Sequence, residues 1–184
     1  MEILPLEPVN SGETSKAALV AIVMGSDSDL RTLEPAVEIL KEFNIQYEVR
    51  ILSAHRTPFE MVNFGKEAES NGLKVIIAGA GGAAHLPGML ASLTCIPVIG
   101  VPVESKALRG IDSMYSIVQM PGGVPVATVA IGGGLNAGLL AAQILGLSNK
   151  DIQKKISFYK KSLRQTVIKK DELLKKIGAI KYLE

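Results

Sequence analysis

Tryptophan is absent from the 184 residues, and aromatic side chains make up only 4% of them. A platform that stacks successive bases on aromatic rings is therefore excluded. The single cysteine, Cys95, can form neither an internal disulfide nor a multi-cysteine metal site, which fits a reducing cytoplasm. There are only two histidines, His55 and His85, and no cluster of His and carboxylates at metal-ligand spacing surrounds them. No metal and no cofactor is expected. The start of the chain lacks a basic segment leading into an apolar run, and every apolar stretch is cut by Gly, Pro or charge short of the roughly 20 residues that span a membrane. A soluble, unexported protein with no membrane partner is expected. The G-x-G-x-x-G fingerprint of dinucleotide sites and the glycine-lysine loop of nucleoside triphosphatases are both missing.

What is present is aliphatic. Hydrophobic residues make up 47% of the chain, 18 residues are Gly, and the mean hydropathy is +0.28. That composition builds packed layers of helix and sheet within one domain and rules out a disordered or fibrous chain. Charge is uneven. Residues 150–184 hold 11 Lys and Arg against 4 Asp and Glu, leaving 9 against 14 for residues 1–149. The basic end has the composition of a nucleic-acid arm. However, Ile152, Ile156, Tyr159, Leu163, Val167, Leu174 and Ile177 recur at three- and four-residue steps, which favours an amphipathic helix packed on protein and no nucleic-acid partner.

Along the chain, residues 1–16 carry no periodicity and read as a flexible lead-in. From Ala17 onward, strand-like apolar runs alternate with helical stripes. Strands are expected up to Met24, over Tyr47–Leu52, Lys74–Ala78, Pro97–Val101 and Val126–Ile131. Helices fall between them, with Pro35 near the first turn of the first and a further helix from about residue 149. The expected fold is α/β: a single-domain, three-layer, doubly wound parallel sheet of the flavodoxin-like kind, spanning residues 17–184 with an extra C-terminal helix. Ligands of such sheets bind beyond the carboxyl ends of the strands, where strand order reverses.

Three strands end in polar or glycine-rich loops, and these should meet. The first, Gly25 to Asp29, opens a helix. Ser26 and the helix-start N–H groups suit a phosphate, and Asp29 suits the hydroxyls of a ribose, although for the loop in isolation simple N-capping is the favoured reading. The second places Ser53, His55 and Arg56 within four residues. Arg56 offers a planar fork for phosphate or carboxylate, and His55 can transfer a proton in either direction near neutrality. The third, AGAGGAAHLPG from Ala78, holds Ala80, Gly81, Ala83 and His85. Its bare backbone can approach a flat ring and offer N–H groups to a carboxylate. His85 has two open readings, capping or oligomer contact on one side and catalysis on the other. Cys95 reads as a small buried residue rather than a nucleophile.

Taken together, VAIVMGSDSDL from Val20, SAHRTP from Ser53, VIIAGAGGAAHLPGM from Val75, PVIGVPV from Pro97 and DSMYSIVQMPGGVPVATVAIG from Asp112 closely resemble the 5-(carboxyamino)imidazole ribonucleotide mutase family of purine biosynthesis. The resemblance runs in order over about residues 18–146. It implies an isomerase that moves a carboxylate from the exocyclic nitrogen of a ribonucleotide to a ring carbon, without metal or cofactor. It further implies that Ser26 and Asp29 bind substrate, that Ser53 and Arg56 contact its phosphate side, and that His55 is the catalytic histidine. Ala80 to Ala84 would hold carbon dioxide, with His85 as pocket wall. A homo-octamer with sites at subunit boundaries is also implied.

Within this resemblance, AGGAAHLPGM distinguishes the mutase branch from the sister class that carboxylates aminoimidazole ribonucleotide directly. That direct carboxylase is the nearest alternative, and a non-catalytic mononucleotide or flavin-binding module on the same scaffold is the next. Two departures stand out. Leu30 occupies a position where some members carry Trp, which would alter packing at the rim of the site. GGGLNAGLLAAQIL after Ile131 is a tighter link than the family often has, which could alter a subunit contact.

Overall fold

The computed structural model describes residues 17–183, so the expected lead-in over 1–16 lies outside the described residues. In chain order the elements are β1 (Val20–Met24), a 3-10 turn (Asp27–Asp29), α1 (Leu30–Glu42), β2 (Tyr47–Ile51), α2 (Pro58–Glu67), β3 (Val75–Gly81) and α3 (Leu86–Ala91). They continue through β4 (Val98–Val103), α4 (Ile111–Val118), β5 (Ala127–Thr128), α5 (Gly134–Gly146), α6 (Lys150–Ile177) and a terminal turn of helix, α7 (Ala179–Tyr182).

All five strands are parallel, in the order β2-β1-β3-β4-β5. This is the flavodoxin-like order, with its switch point between β1 and β3. Side chains alternate along β1 between two cores. Val20, Ile22 and Met24 face α1, α5 and the start of α6, while Ala21 and Val23 face α2, α3 and α4. These are the three expected layers. The strands at the centre are apolar on both faces because both faces are covered, whereas β2 is an edge strand whose Val49 and Ile51 are exposed.

Several boundaries differ from the expected ones for physical reasons. β3 and β4 run on to Gly81 and Val103 because each completes the other's ladder, with Gly81 opposite Val103. β5 keeps only Ala127 and Thr128. Beyond them Val129 N–H donates to Gly100 and Gly132 N–H to Pro102. The last strand therefore advances three residues while β4 advances two, and the register is lost. α1 begins at Leu30, so Pro35 sits inside the helix rather than in its first turn. Cys95 is exposed, contrary to expectation, because it lies in the bend between α3 and β4 rather than in the strand.

α6 packs only through its first turns. Asn149 caps it, accepting from the N–H groups of Asp151 and Ile152. Ile152, Ile156 and Tyr159 join the core, Tyr159 lies edge-on to Phe43 at 5.9 Å, and Lys155 donates to the Phe43 carbonyl at the end of α1. Farther along, Leu163, Val167 and Leu174 are exposed, so the apolar stripe read as packed on protein outruns the body of its own chain.

The tight link after Ile131 serves packing within the chain. It delivers α5 onto α1 so closely that a Cβ at Gly134 would run into the Thr32 carbonyl oxygen, and one at Gly138 into Ile39 and the backbone of Ala36. Gly134→Ala should therefore destabilise the protein by about 1–3 kcal/mol, the usual cost of overpacking. A lowered urea midpoint at unchanged m-value is the expected reading; an unchanged midpoint would mean that the two helices separate freely.

Candidate active site

The loops after β1, β2 and β3 meet at one cleft of ≈ 470 Å³, a volume suited to a small-molecule ligand. It opens beyond the carboxyl ends of the strands, at the switch point. Every residue singled out as a candidate lines it: Ser26 and Asp29, Ser53, His55 and Arg56, and Ala80, Gly81, Ala83 and His85. The loop after β4 contributes as well, through Val103, Glu104 and Ser105. These three were not anticipated. The available signal was that the apolar run PVIGVPV breaks into Glu-Ser at the same end of the sheet as the other three loops.

Arg56 is held in place rather than waving in solvent. Its Nε and its backbone N–H both donate to Ser53 Oγ at 3.2 Å, and one Nη donates to the Gly25 carbonyl. Ser53 is itself buried, and its backbone N–H donates to Thr57 Oγ1 at 2.8 Å. The fork is thus tied across from β2 to the end of β1.

In the first loop, capping involves Ser26, which accepts from Ser28 N–H at the start of the 3-10 turn. Asp29 stands at the N-cap of α1 yet makes no capping bond with its side chain. Its carboxyl is pushed above the ordinary value of 3.8 chiefly by burial, with Ser28 Oγ–H and the Arg56 guanidinium pulling the other way. A half-buried carboxylate with no capping role and one side-chain donor, Ser28 Oγ–H, keeps room for further donors.

His55 Nε2 lies 2.7 Å from His85 Nδ1, and the rings meet edge to face at 4.9 Å between centroids. That distance accommodates one hydrogen bond and hence one proton between the rings, so each histidine sets the tautomer of the other. The capping reading of His85 fails, since its side chain makes no capping bond to α3.

The third loop is closed on itself. Ala84 N–H donates to Gly82, His85 N–H to Ala83, and Gly82 N–H to Ser113 Oγ. The Ala83 N–H has no partner among the described residues. Leu30 lines an adjoining groove with Tyr47 and Val49 rather than the cleft itself. Among the described residues no group of three or more His, Cys, Asp or Glu is placed to hold a metal ion.

The cleft thus offers a tethered cation, a proton-sharing imidazole pair, a partly desolvated carboxylate and a bare peptide loop. The family profile described as AIR carboxylase matches residues 19–166. The chain is 58% identical over 89% of its length to the N5-carboxyaminoimidazole ribonucleotide mutase of Thermotoga maritima, of which it covers 96%. It is 52% identical over 97% of its length to the phosphoribosylaminoimidazole carboxylase of Candida glabrata, but covers only 31% of that larger protein. Among solved structures, Treponema denticola PurE is similar at a TM-score of 0.79 and 36% identity, with 86% of this chain and 99% of that one covered.

The raised Asp29 value carries a sign. The folded state binds this proton more tightly than the unfolded state, so the contribution to stability is present below 3.8 and is lost as pH rises through the folded value. Asp29→Asn should therefore stabilise the protein near pH 7 and gain nothing at the acid end. Equal effects at both pH values in paired denaturation curves would show that Asp29 carries no such penalty.

Proposed function

The chain belongs to the AIR carboxylase family, and from that premise we propose that it is an N5-carboxyaminoimidazole ribonucleotide mutase of purine biosynthesis. It is an isomerase that transfers a carboxylate within one substrate, from the exocyclic nitrogen to the neighbouring ring carbon. The observation that carries the reading is the convergence of His55, paired with His85, and the tethered Arg56 on one glycine-lined cleft at the switch point. Within the family, the loop sequence AGGAAHLPGM favours the mutase over the direct carboxylase.

In this reading Arg56 and Ser53 hold the substrate phosphate, because a guanidinium already oriented by two anchors loses little freedom on binding. Ser26 and Asp29 hold the ribose side, with Asp29 accepting from hydroxyl groups. His55 is the proton shuttle. In the first step the nitrogen–carboxyl bond breaks, its electron pair stays on nitrogen, His55 delivers a proton there, and carbon dioxide is released. The electron-rich ring carbon then attacks carbon dioxide, forming the carbon–carbon bond. The resulting tetrahedral carbon gives its proton back to His55, so the enzyme ends as it began. His85 keeps His55 in a usable tautomer through the 2.7 Å bond. Ala80 to Ala84 shelter carbon dioxide between the two bonds, and the unpartnered Ala83 N–H is a donor for the carboxylate.

The same reading takes the working form as a homo-octamer in the cytoplasm. The exposed Leu163, Val167 and Leu174 on α6 are the surface that favours association, and the free, exposed Cys95 accords with a reducing compartment. Sedimentation of a fully active monomer would exclude the octamer.

The deciding assay presents 5-(carboxyamino)imidazole ribonucleotide in labelled bicarbonate and follows product and label together. A mutase yields product that keeps its original carboxylate. Product made only from the unmodified imidazole ribonucleotide, with label incorporated, would identify the direct carboxylase. His55→Asn should bind substrate and not turn it over; turnover at the parent rate would remove the shuttle. Arg56→Ala should weaken substrate binding by about 1.5–3 kcal/mol, the worth of a charge-assisted hydrogen bond. Unchanged affinity would mean that the phosphate lies elsewhere.

A further inference from the structure

The third loop has a support that its own sequence does not reveal. Gly81 and Gly82 carry no side chains, and the buried methyls that anchor the loop, those of Ala80 and Ala84, stand on either side of them. Gly82 adopts φ +66, and a Cβ there would meet nothing within 4 Å. Its glycine answers to a left-handed backbone rather than to crowding. Between those anchors, the Gly82 peptide itself is held through its polar atoms.

α4 engages both, and the carbonyl also accepts from Ala84 N–H at 2.9 Å. Gly82 N–H donates to Ser113 Oγ at 2.8 Å, and Ser116 Oγ donates to the Gly82 carbonyl at 3.2 Å. Ser113 and Ser116 stand three apart in α4, so their hydroxyls lie on one helix face. Ser113 is fully buried, and only Ser53 joins it as a buried polar side chain among the described residues. Its hydroxyl also donates to the Val103 carbonyl at 2.7 Å, at the end of β4. One buried hydroxyl thus joins two walls of the cleft, and the second closes the clamp on Gly82.

We propose that Ser113 and Ser116 are positioning residues for the carboxyl transfer: by gripping the Gly82 peptide from α4 they hold the glycine loop against the substrate, so that carbon dioxide is retained between leaving nitrogen and joining carbon. The inference rests on the mutase reading above. Neither serine lines the cleft, and both act through the backbone of Gly82.

The test is the labelled-bicarbonate assay applied to Ser113→Ala, Ser116→Ala and Ser116→Thr, with stability measured in parallel. Ser116→Ala should leave KM within about twofold of the parent, since the phosphate side is untouched, while kcat falls. The fall should be about tenfold, in keeping with the sensitivity of reaction to sub-ångström misplacement. Label from solution should appear in product made from unlabelled substrate, and Ser116→Thr, which keeps the hydroxyl, should restore retention.

Ser113→Ala should show the same pattern more strongly; if it does not fold, Ser116→Ala and its threonine rescue decide. Parent-like kcat and full retention in Ser116→Ala, even with a lower melting temperature, would overturn the inference and leave the serines a purely structural role. A raised KM at unchanged kcat would overturn it as well. A parent that makes no product from the carboxyamino substrate would instead overturn the mutase function, so the two failures are distinct.

Discussion

The parallel pairing of β1 with β2 on one side and with β3 on the other is the constraint on which everything else depends. Because β1 lies between its two successors, the chain leaves it toward α1 on one face and leaves β3 toward α3 on the opposite face. No connection can cover the space between those exits. The cleft is therefore a consequence of topology, and the ladder that places Met24 beside Gly79 and Ile51 also brings Gly25, Ser53 and Ala80 within reach of one ligand.

The walls of that cleft then divide the work between them. The β2 side is charged and tethered, with Arg56 bound to Ser53 and to the Gly25 carbonyl so that two strand ends share one cation. Apart from the His85 ring, the β3 side is backbone, whose amides are occupied at Ala84 and His85 by bonds within the loop and at Gly82 by Ser113. Asp29 lies nearest the charged side, where Arg56 offsets part of the desolvation that burial imposes on it. The tension at Asp29 is of the kind that binding relieves, since ribose hydroxyls would restore the hydrogen bonds that water supplied.

Much of this was legible from residues alone, and the reasons differ from place to place. The central strands announce themselves because burial on both faces demands unbroken apolar runs, as in Val75 to Ala78. His55 and Arg56 stand out because a strand that ends in Ser-Ala-His-Arg-Thr-Pro has no packing use for those types. The His55–His85 bond could not be read, since thirty residues separate the partners and only the β2–β1–β3 order brings them together. Ser113 and Ser116 were hidden for a similar reason: two serines in a helix have no signal until the helix is seen to lie under a glycine turn. β5 was overdrawn because Val126 to Ile131 is apolar enough for a strand, while its register against β4 depends on one extra residue before Gly132. Cys95 misled because a small thiol among apolar neighbours looks buried, yet its bend lies outside both cores.

The two kinds of wall suit the two demands of the transfer. In the proposed reading, a substrate phosphate is a permanent charge and needs a permanent, oriented partner, which the tethered Arg56 would supply. Carbon dioxide is neutral for the interval between its two bonds, and a point charge would favour the carboxylate at either end over the species in flight. A peptide N–H held at a fixed position, as the unpartnered one of Ala83 is, favours both carboxylates moderately and similarly, so it keeps the three states close in energy. Such a cradle works only if it does not move, because its contribution is position rather than strong attraction. Gly81 and Gly82, between the buried methyls of Ala80 and Ala84, have no side chains of their own to hold them still, which makes the hydroxyl grip from α4 the natural complement of a bare turn.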